Sequence, residues 1–175
     1  MSQRLVVITG SSGVGKSSLA RALQEQLLPD QWLHFSADTL FYCLPRSTVE
    51  RADQQNDWSQ VDSNAIVAGA LACARTLLAH GHSVIFDAVV VTEVGARNLL
   101  GALAEFEPLI VELTCSWEQI EKRTLARGDR TLAEARHGYR LAGGHLCPHH
   151  AFDTTELSPE QVAAHLVARM RNSAA

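Results

Sequence analysis

The chain has no surplus of positive charge. Its Lys and Arg residues number 15 against 19 Asp and Glu, for a net charge of -4. A surface that binds nucleic acid through its phosphates needs the opposite balance, so a nucleic-acid partner is not expected. Cysteine is scarce: Cys43, Cys73, Cys115 and Cys147 stand far apart and form no CxxC pair. That removes a disulfide framework and predicts reduced thiols in a cytoplasmic protein. No stretch reaches the about 20 apolar residues that a membrane span requires, so no membrane partner is expected. The first strand pattern begins within a few residues of Met1, which predicts no signal peptide. Internal repeats, low-complexity tracts and linkers are lacking as well. What is present is a globular composition, 46% hydrophobic and 19% charged over 175 residues. One domain spanning residues 1–175 is the expectation.

The most informative stretch is Leu5-Val6-Val7-Ile8-Thr9-Gly10-Ser11-Ser12-Gly13-Val14-Gly15-Lys16-Ser17-Ser18. A β-branched apolar run ends at Gly10, and a helical pattern begins at Lys16. Between them lies G-x-x-x-x-G-K-S. Glycines let a loop turn its backbone N–H groups inward and let phosphates approach closely. The following helix points its positive dipole end at the same anion. Lys16 then reaches the β- and γ-phosphates of ATP, and the Ser17 hydroxyl holds Mg²⁺.

The remaining pattern alternates strands and helices. A helix from Lys16 to about Leu28 carries Leu19, Leu23 and Leu27 on one face and is stopped by Pro29. Trp32 to Phe35 reads as the second strand, ending in Ser36-Ala37-Asp38. A short helix follows and ends at Pro45. Asp38 has two readings, a cap for that helix and a carboxylate that takes the proton of an acceptor hydroxyl. Residues 46–61 are polar and aperiodic and read as a long irregular loop. Phe41, Tyr42 and Trp58 either line an acceptor pocket or simply pack.

Ile66 to Leu78 repeat at helical spacing within a helix over 62–80, capped by Asp62 or Ser63 and ended by Gly81. His82 to Asp87 is the third strand. Its terminal Asp87 fits a carboxylate that supports Mg²⁺ or faces the acceptor, or else a turn residue. A helix over 93–104 and a fourth strand over 108–114 come next. Ser116-Trp117-Glu118-Gln119 is a capping box opening another helix. The end of that helix is basic, through Lys122, Arg123, Arg127, Arg130, Arg136 and Arg140. These are either a solvated face or an Arg-rich lid over about 126–142, in which planar guanidinium forks meet a phosphoryl group in flight.

His145, Cys147, His149 and His150 lie close together but match no standard zinc spacing and read as a loop. Ala151 to Asp153 forms a short final strand. Asp153, Thr154 and Thr155 then lie in a loop placed to touch adenine or merely to connect. A last helix starts at the capping box Ser158-Pro159-Glu160-Gln161.

Taken together, these residues resemble the chloramphenicol phosphotransferase family, a branch of the P-loop kinases. The resemblance is carried by Gly10 to Ser17, by Trp32-Leu33-His34-Phe35-Ser36-Ala37-Asp38-Thr39-Leu40 with Pro45, by Val84-Ile85-Phe86-Asp87, by Ala126-Arg127-Gly128-Asp129-Arg130 and by Asp153-Thr154-Thr155. It implies a three-layer α/β fold, a five-stranded parallel sheet with helices on both faces. It also implies transfer of the ATP γ-phosphate to a hydroxyl of chloramphenicol, hence antibiotic resistance. By motif match, Asp38 is the catalytic base, Lys16 and Ser17 the phosphate and Mg²⁺ residues, and Arg127 and Arg130 the lid. The chain departs from the family type at Asp87-Ala88, where two acids are expected, and across 46–61.

The sequence-based reading is therefore an ATP-dependent small-molecule O-phosphotransferase. A kinase for another metabolite or nucleoside is one alternative, and a nucleotide-binding regulatory module without transfer activity is another. The sequence leaves a homo-oligomer open.

Overall fold

The computed structural model describes residues 4–55, 58–128 and 131–172. Five strands form one parallel sheet: β1 (Leu5–Thr9), β2 (Trp32–Ser36), β3 (Ser83–Ala88), β4 (Leu109–Thr114) and β5 (His150–Asp153), in the order β2-β3-β1-β4-β5. The eight helices described are α1 (Lys16–Gln26), α2 (Ala37–Phe41), α3 (Arg46–Gln55), α4 (Ser63–Ala79), α5 (Glu93–Leu103), α6 (Trp117–Arg127), α7 (Leu132–Leu141) and α8 (Pro159–Asn172).

β1 is central and buried along its whole length. Because successive strand side chains point to opposite faces, its apolar run must feed two cores. Val6 and Ile8 enter a core with Leu19 and Leu23 of α1, Ile120 of α6 and Leu166 of α8. Leu5 and Val7 enter another with Leu71 and Leu78 of α4 and Leu99 and Leu103 of α5. This is the expected three-layer α/β fold.

The sheet registers decide what meets at the carboxyl edge. Asp87 pairs with Ile8 on one side and with Ser36 on the other. The phosphate-loop start, the end of β2 and the end of β3 therefore lie side by side. Open α/β sheets place ligands at this edge.

Three expectations differ from the structure. Residues 46–61 are not a long irregular loop, because Arg46–Gln55 is helical. Its buried side is thin, with Ala52 buried and Thr48 and Val49 half-buried. An Arg46–Glu50 pair at 2.6 Å braces its exposed face. So little apolar surface leaves no helical period to read. Nor does Asp38 cap α2. Ser36 does, accepting the Asp38 N–H at 3.2 Å, while Thr39 accepts the Ser36 N–H at 3.4 Å. Nor does the short helix run on to Pro45: α2 ends at Phe41. α7 lies within the stretch read as a lid, and the other expected strands and helices lie within a residue or two of their expected bounds.

Candidate active site

The phosphate loop exists because Gly10 and Gly15 permit it. A Cβ on Gly10 would stand 2.3 Å from the Leu113 carbonyl oxygen, so only glycine lets the chain leave β1 across β4. Gly15 has φ 104° and forms the left-handed N-cap of α1. Lys16 opens the helix with a buried side chain, and its Nζ donates to the carbonyls of Gly10 (3.2 Å) and Ser11 (3.1 Å).

Ser17, one residue on, donates its hydroxyl to Asp87 Oδ2 at 3.0 Å. His34 Nε2 reaches the same oxygen from β2 at 2.8 Å. Asp87 is only 3% exposed. Burial pushes its carboxyl upward, but the His34 hydrogen bond, the Lys16 charge and Ser36 outweigh that and hold it below the ordinary value. An ionised carboxylate and a hydroxyl thus converge beside the phosphate loop. They are hard oxygen donors of the kind Mg²⁺ takes.

A cleft of about 730 Å³ opens over these groups, within the usual range of small-molecule sites. Ser12 to Ser18 form its floor. His34, Ser36, Asp38, Thr39, Tyr42 and Asp87 line one end, and Thr154, Leu157 and Pro159 the other. Arg127, the last residue of α6, borders the cleft. Its Nη2 lies 3.8 Å from where a Gly13 Cβ would stand.

A profile of chloramphenicol phosphotransferase-like proteins matches residues 3–171. The chain belongs to this family. It is also 28% identical to a guanylate kinase of Mycolicibacterium paratuberculosis, over 98% of the chain and 82% of that protein. A Mycobacterium tuberculosis protein named provisionally as an O-phosphotransferase is again 28% identical, over 93% of the chain and 80% of that protein. Among solved structures, the APS kinase of M. tuberculosis in complex with AMPPNP and APS superposes with a TM-score of 0.65 at 18% identity, covering 97% of the chain and 99% of its own. The fold is that of a P-loop kinase, and the family makes the chain a kinase-type phosphotransferase.

Within that frame the anticipated site residues divide. The cleft gathers Ser12 to Ser18, Asp38, Tyr42, Asp87, Arg127 and Thr154. Gly10 and Ser11 lie behind it, where their carbonyls hold Lys16. Phe41 and Trp58 do not line it; they meet edge to face with centroids 5.5 Å apart. Asp153 and Thr155 do not line it either. Thr155 donates its N–H and hydroxyl to the Asp153 carboxylate, which lowers the Asp153 pKa. Arg130 lies outside the described residues.

The 145–150 stretch is tied to the fold elsewhere. His149 Nδ1 accepts the Ile110 N–H at 3.0 Å, and His145 Nε2 bonds the Leu141 carbonyl at 3.2 Å. Among the described residues, no cluster of three His, Cys, Asp or Glu is placed to hold a metal. Nor is any helix there long and apolar enough to cross a membrane. The four cysteines are free thiols.

His34 has no role of its own in the sequence, and Arg123 reads there only with the basic face or lid. His34 stands two positions before Ser36 on β2, a strand spacing that puts both on the cleft side. Arg123 precedes Arg127 by one helical turn and faces the phosphate loop rather than solvent. Each had a periodicity signal, but neither periodicity by itself names a chemical role.

Proposed function

We propose that the protein is an ATP-dependent O-phosphotransferase that moves the γ-phosphate to a hydroxyl of a small molecule. The observation that carries the reading is that Asp38 borders the same cleft as Lys16, Ser17 and Asp87. A nucleotide binder without transfer activity needs no carboxylate there. In this reading residues 10–18 hold the phosphates, with Lys16 shifting from its own loop carbonyls to the β- and γ-phosphates. Ser17 and Asp87 hold Mg²⁺, which neutralises phosphate charge when bound. Asp38 accepts the proton of the acceptor hydroxyl as the new O–P bond forms and the bond from γ-phosphorus to the β–γ bridging oxygen breaks. Arg127, with Arg130, stabilises the charge spread over the transferring oxygens. Residues 126–142 serve as a lid on a single kinase domain, and the protein works in the cytoplasm, where ATP is made available.

Asp38→Asn should lower kcat by about 10²–10⁴-fold and leave the nucleotide Kd unchanged. Turnover at the wild-type rate would remove Asp38 from the chemistry. The acceptor is to be found by ATP-consumption screening with mass spectrometry of the product, and chloramphenicol or a similar antibiotic is the first compound to try. A second reading, a polar metabolite or nucleoside as acceptor, draws on the acceptor wall itself. His34, Ser36, Asp38 and Thr39 are hydrogen-bonding groups, whereas Phe41 and Trp58 lie outside. The likeness to a guanylate kinase points the same way.

A further inference from the structure

We propose that Arg123 is a positioning residue: its guanidinium clamps the phosphate loop to the Thr154 turn and so keeps the loop shaped for a nucleotide. This rests on the nucleotide-binding reading of residues 10–18. A loop that turns its N–H groups toward an anion must turn neighbouring carbonyls away, and those carbonyls need donors. Arg123 Nη1 donates to the carbonyls of Gly13 and Val14, each at 3.2 Å. Its Nη2 donates to the Thr154 carbonyl at 2.8 Å, and Nη1 also lies 3.4 Å from Thr154 Oγ1.

Thr154 closes the circuit. Its side chain is buried, and its Oγ1 donates to the Val14 carbonyl at 2.7 Å. Its N–H donates to the Thr114 carbonyl at 2.8 Å, which fixes the turn to the end of β4. One side chain on α6 therefore joins the two walls of the nucleotide end of the cleft. The task suits a planar fork with several donors and does not suit a lysine, whose point charge cannot span both segments. Arg127, one turn later, also borders the cleft and carries a different duty. The two arginines of α6 divide into a strut and a phosphate-facing group.

The test uses Arg123→Lys, Thr154→Val and the double variant in the full chain. In nucleotide-free protein, amide hydrogen exchange over residues 13–16 should quicken about tenfold or more in Arg123→Lys and to a lesser degree in Thr154→Val. Calorimetry with AMPPNP should show a Kd weakened about tenfold by Arg123→Lys. The double variant should be within about twofold of it, because both changes break one unit. The acceptor KM at saturating nucleotide should stay within about twofold. Unchanged exchange over 13–16, or AMPPNP losses that multiply in the double variant, would overturn the clamp and make Arg123 an independent nucleotide contact. Absence of AMPPNP binding by the wild type would instead sink the nucleotide reading, while the exchange measurement would still judge the clamp.

Discussion

Asp87 takes hydrogen bonds from two directions at one oxygen, from Ser17 on α1 and His34 on β2. A buried carboxylate with such partners is more acidic than in the unfolded chain. Its contribution to stability is therefore complete above the ordinary carboxylate pKa and is lost as pH falls through the lowered folded value. Melting curves taken from pH 5 downward should decline less steeply for Asp87→Asn than for the wild type. Parallel declines would show that Asp87 is not held ionised by these neighbours. The exposed acids Asp153 and Glu160 shift in the same direction, but they are common to both proteins and cancel in the comparison. His34 is the residue whose importance the sequence hid most fully. Nothing in Trp32-Leu33-His34-Phe35 distinguishes a histidine facing a carboxylate from one facing solvent until the β2–β3 register is known.

At the scale of elements, aromatic side chains join α6 to α7 where Trp117 and Tyr139 both pack against the core that contains Ile120. Trp117 and Tyr139 meet with ring centroids 5.6 Å apart, and Arg136 lies 4.9 Å over the Trp117 ring. Gly128 ends α6 in the left-handed conformation, with its N–H on the Thr124 carbonyl at 3.0 Å. A helix that reaches the core through few side chains, with Ala135 buried and Tyr139 packed against it, is a candidate for local opening. Trp117→Ala should raise amide exchange across residues 132–141 by roughly ten- to a hundredfold, with β1 and β3 unaffected. Equal exchange in the two proteins would mean that other contacts anchor α7. The elements themselves were legible to different degrees. Long apolar faces such as Ile66 to Leu78 announced α4, and the capping box at Ser116 announced α6. α3 was hidden because Val49 and Ala52 give it too thin an apolar face. Ser36, not Asp38, caps α2, and that depended on where the strand stopped.

Across the whole molecule, the phosphate loop draws on the central strand, on α1 and α8 through one core, and on the Thr154 turn through Arg123. A ligand gripped there should stabilise the entire fold, not only the loop. At a nucleotide concentration of 100 Kd the gain is about 2.7 kcal/mol. In a chain of 175 residues that should raise Tm by roughly 5–10 °C. Lys16→Ala should lose most of this shift together with phosphoryl transfer. A shift of wild-type size in that variant would deny Lys16 its place on the phosphates. The sequence by itself determined the phosphate loop, the alternation of strands and helices, and the acids at the ends of β2 and β3, because all of these are local patterns of spacing and polarity. Only the tertiary structure decided that His34 shares an oxygen with Ser17, that Arg123 is a strut, and that Phe41 and Trp58 turn to each other instead of to the cleft. Those outcomes depend on strand register and helix docking, which bring together residues up to a hundred or more positions apart.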